Sequence, residues 1–416
     1  MDAVSTPSGP RDTPTVGRVT DPLRAADPAA PEGVRQRNLA RLLRLVHLEG
    51  PLSRAALTEL MGLNRSTIAD LVGELVRAGL AEERSPDPSR RVGRPSPLVA
   101  VAPDIVVIAA NPEVDAIDIA AVGLDQRIHA RVKVPVDELL SPQRVAELVA
   151  TQIREWAAAE LSPCRTVAVG LAVPGLVRSS DGLVRDAPHL GWHDEPIRDV
   201  VQRATGLPVV VGNDANLGVV AEHLYGAARG IDDVVYLNGG ASGIGGGLIV
   251  HGHAVGGSAG YAGEFGQNRP GIARSADRLA GDGVLEDEVS RARLIAVLGR
   301  GPMDDDALAV ALAAPSTPDV DDEVARQRRI LATALANAVN VLDPAVIVLG
   351  GFLASLADVD REGLADSVRR QAMSANAEDV LVRTAVLAND RLLIGAAEAA
   401  FGPLLADPDA KAWRTG

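Results

Sequence analysis

Four short runs within residues 209–286 decide the fold: Gly212-Asn-Asp-Ala-Asn216, Asn238-Gly-Gly-Ala-Ser-Gly-Ile-Gly-Gly-Gly247, Gly263-Glu-Phe-Gly-Gln267 and Gly283-Val-Leu-Glu286. An apolar stretch, Leu207 to Val211, delivers an amide and a carboxylate, Asn213 and Asp214, to the end of a strand. A second, Val234 to Leu237, runs into a glycine-rich turn whose backbone N–H groups can approach an oxygen-rich ligand closely. Glu264 and Glu286 follow. One segment therefore holds an amide and three carboxylates among glycines, a set suited to the vicinal hydroxyls of a sugar, since each carboxylate accepts at least two hydrogen bonds. Any one of these motifs alone reads as a turn with surface charge.

Outward from this segment, the 416 residues suffice for two or three domains with substantial cores. The formal charge of −14 is unevenly spread: over residues 35–97 eleven arginines outweigh seven acids to give +4, leaving −18 on the remainder. A small basic module on an acidic body is the arrangement expected when one part meets nucleic acid and the other does not. The one cysteine, Cys164, rules out an intramolecular disulfide and a cysteine-built zinc site. No basic segment leads into an apolar core at the start, and the longest uncharged apolar run, residues 345–357, is too short for a membrane helix. The expectation is a cytoplasmic protein with no membrane partner.

Residues 1–32 carry six prolines without apolar periodicity and read as a disordered tail. From Gly33 the pattern is helical. Leu39, Leu42, Leu43 and Val46 form one apolar stripe on a helix ending at Gly50-Pro51. Ser53 is placed to cap a second helix through Leu60. Asn64 is placed to cap a third, with Ile68, Leu71, Val72 and Leu75 inward and Gly79 closing it. This is helix-turn-helix spacing, and Arg65, Ser66 and Thr67 at the start of the third helix are expected to meet base edges and phosphates, with Ser53 and Arg54 beside them. Short strands at 80–84 and 96–102 bracket a wing carrying Arg90, Arg91 and Arg94, the last within Gly93-Arg94-Pro95. Residues 33–102 are thus expected to be a winged helix-turn-helix domain that binds double-stranded operator DNA; a three-helix scaffold without DNA contact is the competing reading.

From Pro103 strands alternate with helices, which predicts α/β layers. Strands are expected at 105–109, 116–122, 166–173, 208–211, 234–237, 247–250, 345–349 and 380–386. Helices are expected at 141–160, 197–205, 217–227, 286–298, 321–342, 358–374 and 395–405, with solvated connections at 304–306 and 314–322. His251-Gly252-His253 after a strand reads as a hairpin tip rather than a metal site.

In these motifs, taken with Val173-Pro-Gly175, Leu285-Glu286 and Asp343-Pro344 before Val346-Ile-Val-Leu-Gly-Gly351, the chain resembles the ROK family of repressors and sugar kinases over about residues 33–405. The resemblance implies an α/β actin-like two-lobed sugar-kinase fold, with a ribonuclease H-like motif, behind the winged helix-turn-helix. Residues 103–408 become the effector and oligomerisation domain. It also implies that Gly175 lies against a sugar ring, that Asn213 bonds a hydroxyl, and that Asp214 matches the catalytic base of the kinases. Glu264 and Glu286 match acids that clamp further hydroxyls, and Gln267 stands where the family has a histidine that touches both sugar and zinc.

Two departures from the family bear on function. Kinase members open the body with Asp-x-Gly-Gly-Thr around the ATP phosphates, whereas this chain has Asn111-Pro-Glu-Val-Asp115. Like unit charges about 4 Å apart near a surface repel by roughly 4 kcal/mol, so Glu113 and Asp115 oppose phosphate there. The family's zinc ligands, a histidine and three cysteines, are replaced by Gln267, Asp277, Leu279 and Val284, so no metal or other cofactor is expected, and Leu279, Val284 and Leu285 are expected to pack the loop instead. The resulting expectation is a sugar-responsive DNA-binding regulator, a repressor, acting as a homodimer or homotetramer with a small-molecule sugar effector and no enzymatic activity. An active ATP-dependent sugar kinase with an added DNA-binding head is the alternative, and a regulator that has lost its ligand is a third reading.

Overall fold

Two five-stranded sheets of matching strand order organise the computed structural model, which describes residues 31–85, 97–240, 243–281, 283–301 and 303–410. Ahead of them the chain forms α1 (Pro31–Glu49), β1 (Leu52–Ser53), α2 (Arg54–Met61), α3 (Arg65–Arg77), β2 (Ala81–Arg84) and β3 (Leu98–Val101). The apolar stripes are buried as periodicity requires, with Leu42, Leu43, Ile68 and Leu75 fully enclosed. Ser53 Oγ accepts the Ala56 N–H at 3.1 Å and Asn64 Oδ1 accepts that of Thr67 at 2.8 Å, so both helices start on capped ends. β3 pairs antiparallel with β1 and β2. The wing arginines Arg90, Arg91 and Arg94 lie outside the described residues, as does the expected tail up to residue 30. Pro31 already belongs to α1, two residues earlier than the tail boundary expected from composition.

The first lobe comprises β4 (Ile105–Pro112), β5 (Ala116–Gly123), β6 (Ile128–Pro135), α4 (Pro142–Ala157), β7 (Arg165–Val173), β8 (Leu176–Val177), β9 (Val184–Ala187), β10 (Trp192–Glu195), α5 (Ile197–Thr205), β11 (Val209–Asn213) and α6 (Asp214–Tyr225). Its main sheet runs β11-β7-β4-β5-β6, parallel across the first three and antiparallel across the rest. Every residue of β4 is buried, as a central strand covered on both faces must be. β6 was not expected, because on this outer strand polar residues such as Arg131 and Lys133 break the apolar run.

The second lobe repeats the plan with β12 (Val234–Gly239), β13 (Ile244–Val250), β14 (His253–Ala254), α7 (Leu285–Glu288), α8 (Arg291–Val297), α9 (Asp305–Ala313), α10 (Pro318–Leu342), β15 (Val346–Gly351), α11 (Phe352–Asp358), α12 (Arg361–Gln371), α13 (Ser374–Ala377), β16 (Leu381–Thr384) and α14 (Arg391–Ala406). Its sheet runs β14-β13-β12-β15-β16, again three parallel strands extended by antiparallel ones. This duplication is the two-lobed α/β fold expected from the motifs. α6 and α14 pack on each other at the centre, α14 covering β4, β7 and β11 while α6 covers β12 and β13.

Several expected elements need correction. Asp304 to Asp306 is no solvated connection: Asp304 caps α9, its carboxylate accepting the Ala307 N–H at 2.8 Å. The expected connection at 314–322 ends at Pro318, where α10 begins. The single helix expected at 286–298 is broken by extended backbone at Val289 and Ser290. That expected at 358–374 is shorter and is preceded by α11, whose Phe352 and Leu353 are buried. α6 opens at Asp214 rather than Leu217, because Asn213 caps it through the Asn216 N–H at 3.0 Å.

One apolar cluster runs without interruption from Leu39, Leu42 and Leu57 in the head through Val99 and Ile105 to Leu393, Phe401 and Leu404 of α14. Head and body are therefore joined by core packing as well as by chain. Among the described residues no helix is long and apolar enough to cross a membrane.

Candidate functional site

The glycine-rich start of β13 gathers the sequence-predicted sugar-binding residues around itself. Asn213 and Asp214 arrive at the junction of β11 and α6, where Asn213 Nδ2 donates to the Gly175 carbonyl at 2.9 Å while its Oδ1 caps the helix. Its amide therefore ties Gly175 to the site, and only one N–H is left for a ligand. Gly175 has φ +122°, and a Cβ there would come within 2.9 Å of Ala187 Cα, so only glycine fits between this turn and β9.

On the opposite wall Glu286 Oε2 accepts the Ile244 N–H at 3.2 Å and Oε1 accepts Gln267 Nε2. A Cβ at Gly243 or Gly266 would lie 2.5 or 2.6 Å from that carboxylate, which explains two glycines of the turn. Ser242, in the same turn, lies outside the described residues. Glu264 opens to solvent between the walls. Its carboxyl is held above the usual range by partial burial and by Asp214 and Glu286, so the three acids share one field.

Asp214 is the most perturbed of them. Burial, with Glu113 adding to it, pushes its carboxyl up to about 6, although the Ala215 N–H and Arg391 act in the opposite direction. Arg391, at the start of α14, was not singled out in the sequence. It is buried, donates to Asn238 Oδ1 at 2.8 Å and to the Ala388 carbonyl, and its charge acts on Asp214. Its lone position at a helix start carries no periodic or motif signal.

The β4–β5 hairpin faces the same cleft. Asn111 is buried with Nδ2 on the Ala172 carbonyl at 2.9 Å, so it supports the sheet rather than a ligand. Burial raises the Glu113 carboxyl, as do Asp115 and Asp118, with Lys133 and Arg391 opposing. Beyond Arg391 a cavity of about 500 Å³ opens, lined among others by Asp305, Asp306, Asp358, Gly351 and Ser355. Carboxylates thus stand at the hairpin, in Glu113, and in the cavity beyond Arg391, in Asp305, Asp306 and Asp358.

The loop in which the family carries zinc is held by charge instead. Glu288, fully buried, accepts the N–H groups of Leu279 and Ala280 at 3.0 Å and the Arg326 guanidinium at 2.9 Å. Arg326 also donates to the Asp277 carbonyl at 2.7 Å, and Arg329 pairs with the Asp277 carboxylate at 2.8 Å. Gln267 is engaged by Glu286 and Asp277 by Arg329, and no thiolate or imidazole stands at the four positions, so the donor set does not fit zinc. The expected apolar packing is half right. Val284 and Leu285 are buried, but Leu279 is 53% exposed and contributes its backbone only. The His251–His253 turn is a hairpin tip between β13 and β14, as expected.

In the head, Arg65 and Ser66 are exposed at the start of α3 and Thr67 is half-buried beside them. Ser66 Oγ donates to Asn64 Oδ1 at 2.7 Å. Ser53 is occupied as a cap, and Arg54 is held by the Glu83 carboxylate through two bonds of 2.6 and 2.8 Å. The exposed side chains at the start of α3 are therefore Arg65 and Ser66, the latter turned to Asn64. Arg91 and Arg94, expected to complete it, lie outside the described residues.

The sequence profile described as "ROK family" matches residues 112–401. A xylose repressor from Caldicellulosiruptor bescii is 24% identical over 378 residues, covering 86% of this chain and 94% of its own. The crystal structure of a ROK family transcriptional regulator, described as a homologue of the Escherichia coli MLC protein, superposes with a TM-score of 0.72 at 23% identity, over 89% of this chain and 98% of that one. A ROK family glucokinase from Streptomyces griseus, crystallised with glucose and AMPPNP, gives 0.56 at 26% identity, over 71% of this chain and 99% of that one.

Proposed function

Since the chain belongs to the ROK family, we propose that it is a sugar-responsive transcriptional repressor, with residues 33–102 binding operator DNA and residues 103–408 binding the effector. The observation that carries this reading is the joint presence of two sites in one chain: a capped helix start exposing Arg65 and Ser66, and an interlobe cluster of Asp214, Glu264 and Glu286 around a glycine turn. The xylose repressor covers 86% of the chain and the transcriptional regulator 89%, whereas the glucokinase structure covers 71% of it.

The effector is an unphosphorylated pentose or hexose. Three clustered carboxylates reward neutral hydroxyls and oppose a phosphate. D-xylose is the first candidate, from the name of the relative. The body binds without phosphorylating: Glu113 at the hairpin tip and Asp305 and Asp306 beyond Arg391 oppose the phosphates of ATP, and Pro112 with Val114 supplies none of the flexibility a phosphate loop needs. The protein acts in the cytoplasm as a homodimer or homotetramer, and sugar closing the lobes shifts the spacing of paired heads on their half-sites.

The test is operator binding by the purified chain to DNA from its own upstream region at one fixed salt concentration, with and without D-xylose, D-glucose and other neutral sugars. A specific complex released by one sugar is expected. A complex that no sugar alters would overturn the effector reading, and no complex with any DNA would overturn the repressor reading. A kinase remains the second reading because Asp214, with its carboxyl near 6, suits a general base. Sugar-dependent ATP turnover abolished by Asp214→Asn would establish it.

A further inference from the structure

A cluster outside the sugar site joins the head to the body. His47, near the end of α1, is buried with Nδ1 2.6 Å from the Leu124 carbonyl and Nε2 2.9 Å from Glu398 Oε1 of α14. Tyr225, the last residue of α6, donates its hydroxyl to the same Glu398 oxygen at 2.7 Å and lies 3.2 Å from His47 Nε2. The His47 backbone carbonyl accepts Gln126 Nε2. Both ring nitrogens of His47 face acceptors, a carbonyl and a carboxylate, so the imidazolium satisfies the site best. Around it, Arg229 pairs with Glu49 at 3.0 Å and Gln36 donates to Asp407 at 2.7 Å.

The two helices that meet His47 both begin at the effector site. α6 starts with Asp214 and ends with Tyr225, a 12-residue rod of about 18 Å at 1.5 Å per residue. α14 starts with Arg391, whose charge acts on Asp214, and carries Glu398. They pack along each other and α14 packs on α1. Gly218 lets α6 lie against Tyr236, and a Cβ at Gly395 would strike Leu217, so the pair is close-fitting.

We propose that α6 and α14 form the link between sugar and operator, and that His47, Tyr225 and Glu398 are the positioning residues through which a change at Asp214 alters the seating of the head. This rests on the repressor reading for its biological meaning, but not for its test. A displaced α6 carries Tyr225 with it, and a loosened Tyr225–Glu398 bond frees the buried ring that anchors α1. The interlobe helices thereby offer two arrangements to the head, and the sugar selects between them.

The experiment is a double-mutant cycle on the full chain between Asp214→Asn and Tyr225→Phe, repeated with Glu398→Gln in place of Tyr225→Phe; all three replacements keep side-chain shape. Two readouts are taken: hydrogen exchange of α1 amides without DNA or sugar, and affinity for the upstream DNA. Sites this far apart normally act independently. The link predicts that the double variants depart at least fivefold from the product of the single effects in α1 exchange, and likewise in DNA affinity. It also predicts that Tyr225→Phe binds D-xylose as the parent does while its DNA affinity changes less than twofold on adding the sugar. Multiplying single effects in the exchange cycle would overturn the link. A parent chain that ignores every neutral sugar of the panel, or binds no DNA, would instead overturn the functional reading, with the exchange cycle still deciding the link.

Discussion

Arg326 of α10 reaches Glu288 of α7 at 2.9 Å beside the loop in which the family carries zinc, and both side chains are almost wholly buried, at 6% and 0% exposure. The loop is held by an ion pair. Glu288 fixes the loop by accepting two of its backbone N–H groups, and Arg326 fixes it again through the Asp277 carbonyl.

Arg326→Ala leaves the Glu288 carboxylate buried without its cation, and breaking such a pair costs about 3–5 kcal/mol. Urea unfolding of the full chain measures it. A loss under about 1 kcal/mol, the size of an exposed pair, would show that the loop is held otherwise. Added zinc or a chelator is expected to leave the melting temperature unchanged.

Asp214 opposes stability at neutral pH. Its folded pKa of about 6 lies above the unfolded value of 3.8, so between the two the folded chain holds a proton the unfolded chain has released, and stability falls as pH rises. Above pH 6 the full cost is present. Asp214→Asn is therefore expected to raise the melting temperature at pH 8, the gain shrinking towards zero near pH 4. A gain independent of pH would refute burial of the charge as its cause.

His47 behaves with the opposite chemistry and the same slope. Glu398 and the Leu124 carbonyl raise its folded pKa against burial and Arg44, with Tyr225 on the third side. A raised histidine contributes stability in full below its unfolded value near 6.5 and loses it as pH rises through the folded value. Protection of α1 amides, corrected for intrinsic exchange, should fall on going from pH 6 to pH 9. His47→Gln should flatten that dependence. Equal slopes in the two proteins would exclude the ring.

Asn64→Ala removes the cap on α3 and is expected to cost about 1 kcal/mol, as cap losses do, and to weaken DNA binding by fraying the turn that presents Arg65 and Ser66. Arg65→Ala should leave stability within about 0.5 kcal/mol and lower the salt slope of DNA binding by about one phosphate contact. An unchanged slope would place Arg65 away from the backbone of the DNA.

Much of this molecule is local and could be read along the chain. The caps Ser53 and Asn64, the stripe from Leu39 to Val46, the apolar strands and the glycine turn at 243–247 are set by neighbours within a few residues, where periodicity and backbone conformation leave a signal. The grouping of Asp214, Glu264 and Glu286 was suggested along the chain too, because their motifs fall among glycines within the one segment 209–286. What the fold alone decided are the pairings across long separations. His47 meets Glu398 351 residues away, and Tyr225 meets it 173 residues away. Arg391 is brought to Asn238, with its charge felt at Asp214, by the packing of α14, and Arg326 finds Glu288 only once α10 has packed on the loop. Each of these side chains is an ordinary polar residue on a helix by sequence. Burial by distant elements, which no local pattern encodes, makes each one a partner.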